Sequence, residues 1–162
     1  MKLAVLSDSH DNIWKLEAAM PHLNQAEAVI HCGDLCSPFV VRMLGEGLHG
    51  KPLHIVWGNN DGDQALIAKV AAQFPEVVLH GQLAELSLAG VSVAVNHYPE
   101  IARGLARSRQ YRLVCCGHDH TARAEMIENC LLLNPGELMG MRGRSSLATV
   151  ESSDLQVTWI DL

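Results

Sequence analysis

Asp8, His10, Asp34, Asn59, His97, His118 and His120 are residue types that hold transition-metal cations, and they recur at equivalent places along the chain. Each follows a short apolar run. Asp8-Ser9-His10 follows residues 2–7, Gly33-Asp34 follows 27–31, and Gly58-Asn59-Asn60-Asp61 follows 52–57. Asn96-His97 follows 91–95, and Gly117-His118-Asp119-His120 follows 112–116. Imidazole nitrogen together with carboxylate oxygen suits zinc, manganese, iron or nickel-like cations. A spacing of two, as in Asp8/His10 and His118/His120, lets both side chains reach one locus from an extended loop. The set is too large for one tetrahedral ion and about right for two, with Asp34 as the shared carboxylate. Pairs of cations about 3.5–4 Å apart hydrolyse phosphate esters by turning water into a nucleophile. Two divalent ions, two carboxylates and a bridging hydroxide leave such a site at about +1, attractive to a phosphate although the chain carries a formal −6. Asp-x-His alone, or Gly-Asp alone, is weak evidence, and Gly-His-x-His is moderately specific. The weight lies in five clusters sharing one position relative to their strands.

That position must be built by the elements before them. The spacing predicts strands at 2–7, 27–31 and 52–57 alternating with helices at 12–23, 38–48 and 63–73. The first helix carries the stripe Ile13, Leu16, Ala19, Met20 and Leu23, and the second starts behind Ser37-Pro38. This βαβαβα order implies a parallel sheet with helices packed on it. The remainder is richer in strands, at 76–79, 82–88, 91–96, 112–116, 122–128, 130–133, 145–151 and 155–161, with one helix at about 99–109. The expected class is α/β (α+β): two sheets face to face with helices outside, as one domain over 1–162. In open α/β sheets ligands sit beyond the carboxyl ends of the strands. Glycines beside three of the clusters suit sharp turns and close backbone approach.

Composition removes several alternatives. Apolar residues at 48% and charged residues at 19% fit a folded domain rather than a disordered chain. With a pI of about 5.8 and no basic stripe, nucleic acid is an unexpected partner. Arg103 and Arg107 share a helical face with Arg109 and Arg112 nearby, read here as a solvated surface. Residues 3–6 are too short for a signal-peptide core, and no apolar run approaches a membrane span. A cytoplasmic protein is expected, consistent with five cysteines, an odd number containing the adjacent pair Cys115-Cys116. Cys32, Cys115 and Cys116 are read as small buried side chains. His31, ending a buried strand, is expected to orient Asp34. His22, His49, His54 and His80 are expected to face solvent.

On these motifs the sequence resembles the calcineurin-like metallophosphoesterase superfamily, over nearly its whole length. His31-Cys32-Gly33-Asp34 and Asn134-Pro135-Gly136-Glu137 point to its small bacterial and archaeal phosphodiesterases. The resemblance implies a calcineurin-like β-sandwich flanked by helices and a binuclear centre. One metal would take Asp8, His10, Asp34 and His120, and the other Asp34, Asn59, His97 and His118. Mn²⁺ is the first expectation, with Ni²⁺, Fe²⁺, Zn²⁺ or Mg²⁺ as alternatives. The implied activity is a phosphodiesterase acting on a small phosphoester, with Asp34, Asn60, His97 and His118 as the catalytic set.

Two departures from the superfamily pattern bear on mechanism. Many members carry a histidine where this chain has Asn60, and an amide can donate to phosphate but cannot act as a general acid. Many read His-Gly-His where this chain reads His97-Tyr98-Pro99. Little chain remains for a lid, so an open, loosely specific site is expected. The loop 134–144, with Glu137, Met139, Met141, Arg142 and Arg144, could line the site or a homodimer contact. Competing readings are a metal-binding scaffold that serves as a protein-interaction subunit on the same fold, or a nuclease or phosphoprotein phosphatase using the same ions.

Overall fold

The computed structural model describes residues 1–162. Each predicted element is present, within a few residues at its ends. In chain order they are β1 (Lys2–Leu6), α1 (Ile13–Leu23), β2 (Ala28–His31), α2 (Pro38–Gly47), β3 (Leu53–Ile55), α3 (Gln64–Ala71), β4 (Val77–Leu79) and β5 (Ala84–Leu88). There follow β6 (Val91–Val95), α4 (Pro99–Arg107), β7 (Leu113–Cys115), β8 (Arg123–Ile127), β9 (Cys130–Asn134), β10 (Ser146–Glu151) and β11 (Val157–Asp161).

Two sheets form, ordered β11-β10-β1-β2-β3-β4 and β5-β6-β7-β9-β8. Strands β1 to β4 run parallel, registered as Leu3 opposite Ala28, Val29 opposite Leu53 and Leu53 opposite Val77. In the second sheet β6, β7 and β9 run parallel, while β5 and β8 close its edges antiparallel. The period-two side-chain alternation of a strand divides the core. Leu3 and Val5 point between the sheets with Ala28, Ile30, Val93, Val95, Leu113 and Leu133. Ala4 and Leu6 point the other way, under Leu16, Leu23, Val41, Leu44 and Ile67 of α1 to α3. A third, smaller layer packs Ala102 and Ala106 of α4 onto Ala94, Val114 and Leu132. The result is helix, sheet, sheet, helix, the sandwich expected from the sequence.

Local signals fix the helix starts. Asn12 accepts the Lys15 amide at 3.1 Å and Asp63 that of Leu66 at 2.9 Å, each capping its helix. Pro38 and Pro99 open α2 and α4, where a missing N–H costs nothing. Because β1, β2 and β3 run parallel to one another in the first sheet, as β6 and β7 do in the second, their carboxyl ends come out on one rim of the sandwich.

Candidate metal centre

The loops leaving those strands are tied to one another by backbone hydrogen bonds. Asp8 N–H donates to Gly33 O at 3.0 Å, His10 N–H to Asp34 O at 3.1 Å, Gly117 N–H to His97 O at 3.0 Å and Met139 N–H to Asp8 O at 3.1 Å. Asp61 is a further tie: its carboxylate accepts the amides of Gly58 at 2.6 Å and Cys36 at 2.9 Å. Two glycines make the approach close enough. A Cβ on Gly58 would sit 2.1 Å from Asp34 Oδ1, and one on Gly117 would sit 1.9 Å from Ser7 Oγ and 2.6 Å from Asp8 Oδ2. Asp8, His10, Asp34, His118 and His120 all have left-handed backbones, at φ 53°, 39°, 56°, 71° and 60°. Asp and His enter that region more readily than most residues, but it is sparsely populated and strained conformations concentrate at functional sites.

All seven predicted ligands meet at this rim. Asp34 Oδ2 lies 3.5 Å from both His10 Nε2 and His97 Nε2, facing two directions at once. Asp8 Oδ1 is 3.3 Å from His120 Nε2 and 3.8 Å from His10 Nε2. Asn59 Oδ1 is 3.1 Å from His97 Nε2 and 2.8 Å from His118 Nδ1. The coordinating atoms of Asp8, His10 and His120 fall within 4.8 Å of one another, as do those of Asp8, Asp34 and His97. Two ligands bound to one ion at ordinary bond lengths stand about 3.0–3.4 Å apart, so this spacing fits shared cations. A further observation tests the fit. Asp8 Oδ1 and His10 Nε2 are buried with no hydrogen-bond partner. Leaving buried polar atoms unpaired is costly, and a bound cation is one of the few things that satisfies a carboxylate oxygen and an imidazole nitrogen together.

The surroundings hold these groups in place. His97 donates from Nδ1 to the Cys32 carbonyl at 2.8 Å, which turns Nε2 inward. Asn60 donates to Asp34 twice, from N to Oδ1 and from Nδ2 to Oδ2, both at 2.8 Å. The Tyr98 ring packs edge-on against His97 and His118 at centroid distances of 5.2 and 5.1 Å. Glu137, which the sequence left divided between the site and a dimer contact, is 1% exposed and accepts from His120 Nδ1 at 2.6 Å. His31 does not bond Asp34 as expected. Its Nε2 meets Ser9 Oγ at 3.1 Å and its Nδ1 accepts the Gly33 amide at 3.2 Å, so it shapes the turns on either side. His54 and His80 do not stand in solvent either. They are half-buried and bonded to each other at 3.0 Å, and burial lowers both pKa values.

Charge is concentrated here. Burial works to raise Asp34, yet His97 and both Asn60 donors outweigh it and hold the carboxyl well below its usual range. Asp8 is lowered in the same way: burial opposes, and His10, Ser7 and the nearby imidazoles win. His10 is raised first by Asp8, and at 3.8 Å that contact is an ion pair rather than a hydrogen bond. His97 is raised by Asp34 against the opposing pull of burial. Two anionic carboxylates thus draw positive charge onto the imidazoles around them. Away from the rim, Arg103 forks onto Glu125 at 3.1 and 2.8 Å and Arg109 onto Glu128 at 2.5 Å, a solvated surface as read. The two clefts of the molecule, about 470 and 420 Å³, flank α4 and contain none of the seven ligands. The centre itself lies on open ground, with His118 exposed.

A parallel-stranded sandwich presenting Asp, His and Asn at its carboxyl rim defines a class of metal-binding hydrolase folds. The chain belongs to one family within that class, the calcineurin-like phosphoesterase superfamily, whose domain matches residues 1–155. A phosphodiesterase of Methanocaldococcus jannaschii is 28% identical over 144 residues, spanning 86% of each chain. The solved structure of an archaeal phosphodiesterase superposes with a TM-score of 0.92 at 25% identity, with 100% of both chains covered. The zinc complex of Vps29 from Entamoeba histolytica shares the fold at a TM-score of 0.70 and 17% identity, covering 100% of this chain and 98% of its own. No helix is long and apolar enough to cross a membrane.

Proposed function

We propose that this chain is a phosphodiesterase that holds two divalent cations, one between Asp8, His10, Asp34 and His120 and one between Asp34, Asn59, His97 and His118. Manganese is the first choice, with nickel, iron, zinc or magnesium as alternatives that the mixed nitrogen and oxygen donors also accept. Bound there, such cations supply a lowered water pKa and offset the negative charge of a phosphate ester. The observation that carries this reading is the pair of buried, unpartnered atoms Asp8 Oδ1 and His10 Nε2 inside the acid–histidine cluster.

The protein's own groups divide the work. Asp34 faces both halves and is held by Asn60, which spends its backbone N–H and one side-chain N–H on that carboxylate. That leaves Asn60 one N–H for a substrate oxygen and no proton to give up at neutral pH. His118, exposed beside His97, stands where an incoming phosphate arrives. The openness of the rim suits a small phosphoester of loosely defined shape. Five unpaired thiols are in keeping with work in the reducing cytoplasm. The scaffold reading draws on the likeness to Vps29, a likeness of fold alone. Retention of all seven ligand side chains, with Glu137 buried behind one of them, favours the enzyme.

The test is to strip the protein with chelator, reload it with Mn²⁺ and compare bis(p-nitrophenyl) phosphate with p-nitrophenyl phosphate. Diester turnover should appear on reloading, and Asp34→Asn should remove both the second cation and the activity. Activity that survives chelation, or persists in Asp34→Asn, would end the proposal.

A further inference from the structure

The two halves of the centre are held in different ways. Around Asp8, His10 and His120, two coordinating atoms have no partner at all, Asp8 Oδ1 and His10 Nε2. Behind His120 stands Glu137, buried to 1% exposure, with Oε2 at 2.6 Å from Nδ1 and Oε1 accepting the Arg142 amide at 2.5 Å. A carboxylate only accepts, so the ring proton of His120 is on Nδ1 and the lone pair of Nε2 faces Asp8 Oδ1 at 3.3 Å. A histidine backed by a carboxylate is oriented and made more basic toward a metal.

The other half is more nearly satisfied. His118 Nδ1 donates to Asn59 Oδ1 at 2.8 Å, with the lone pair of His97 Nε2 3.1 Å from the same oxygen, and Asn60 donates to both oxygens of Asp34 at 2.8 Å. Behind His97 is a neutral carbonyl, Cys32 O at 2.8 Å, in place of a carboxylate. His118 is exposed. A cation entering here must first displace hydrogen bonds, whereas a cation entering the first half satisfies atoms that lack any. The first half also has two carboxylates that the second lacks, Asp8 facing His120 and Glu137 behind it.

We propose that Glu137 is a positioning residue that makes the Asp8–His10–His120 half the tighter one, so that cations load in a fixed order, this half first and the Asn59–His97–His118 half second. This rests on the two-cation reading above. It makes the centre's second ion the exchangeable one, and so the point at which cation supply would set activity.

The experiment is calorimetric titration of chelator-stripped protein with Mn²⁺, with electron paramagnetic resonance spectra at each stoichiometry. Wild type should show two steps, the first at least about tenfold tighter. The spectrum should be that of an isolated ion after one equivalent and of a coupled pair after two. Glu137→Gln should weaken the first step by about 10–100-fold, the usual cost of removing such a backing group, and leave the second step where it was. His118→Asn should do the reverse, and it tests the order without touching Glu137 should the Gln variant fail to fold. Two ions bound with Glu137→Gln weakening both steps alike, or neither, refutes the ordering alone. A wild type that takes up a single ion refutes the two-cation reading and the ordering with it.

Discussion

Acidification should destabilise the metal-free protein in part through His31. The ring is fully buried and accepts the Gly33 amide on Nδ1, so its single proton is on Nε2, facing Ser9 Oγ. A second proton would put Nδ1–H against the Gly33 N–H with no water to receive it. Burial accordingly pushes His31 down from 6.5 to about 4. A histidine depressed in the folded state takes up its proton more readily when unfolded. Its contribution is intact above the unfolded pKa of about 6.5 and is lost as pH falls toward 4. A difference of two to three units corresponds to about 3 kcal/mol over that window, about 2 kcal/mol of it by pH 5. Lowered His54 and His80 act in the same direction, so the His31 share must be isolated by substitution. Asn at this position keeps an acceptor near Nδ1 and cannot titrate. Urea unfolding with chelator present, at pH 7 and pH 5, is the assay. His31→Asn should be less stable than wild type at pH 7 by about 1–2 kcal/mol, for a lost contact and a small cavity. It should then lose about 2 kcal/mol less than wild type on moving to pH 5. Identical pH dependence in the two proteins would show that His31 is not held neutral by its surroundings, and the account of the Gly33 turn would fall with it.

Two further expectations concern the chemistry. Gly117→Ala should place a methyl group within 2.6 Å of Asp8 Oδ2 and closer still to Ser7 Oγ. Overpacking of that kind costs about 1–3 kcal/mol, and diester turnover should fall by at least about a hundredfold because Asp8 moves. A thermal melt beside a rate measurement separates the two effects, and unchanged turnover would mean that Asp8 tolerates displacement. With Asn60 in place of an acid, aryl phosphoesters should be cleaved faster than alkyl ones. A series of diesters of rising leaving-group pKa should give a steeply falling rate, and a flat series would require a proton donor that Asn60 cannot be.

The parts of the molecule legible in the sequence are those set by local chemistry. Period-two and helical stripes marked the strands and helices because burial acts residue by residue. The seven candidate ligands are legible because each stands just past the end of its own strand. What was not legible depends on pieces of chain that meet only after folding. Glu137 reaches His120 across 17 residues, from a loop whose path is fixed by the β10 pairing that follows it. His54 and His80 found one another because β3 and β4 pair in register, which places His80 just past Leu79. His31, at the end of a buried strand, points by its position to Asp34, but its two ring nitrogens are committed to Ser9 and Gly33. Sheet order was hidden for the same reason: nothing local says that β9 inserts between β7 and β8.

The centre is also the place where the chain departs furthest from its own local preferences. Five of the seven candidate ligands have left-handed backbones, each costing on the order of 1–3 kcal/mol for a residue other than glycine. Two anionic carboxylates face each other's histidines, and two buried atoms are unpaired. None of this helps the fold. It persists because the two sheets and the backbone ties from Asp8 to Gly33, His10 to Asp34 and Gly117 to His97 determine where the loops go. A scaffold that used this rim only to bind a protein would gain nothing from keeping such an arrangement. Neutral side chains on ordinary backbones would fill the same space more stably. Retention of seven clustered metal-binding side chains, five of them on strained backbones and two of them buried carboxylates, is therefore the physical reason for favouring cation-assisted hydrolysis over a binding role.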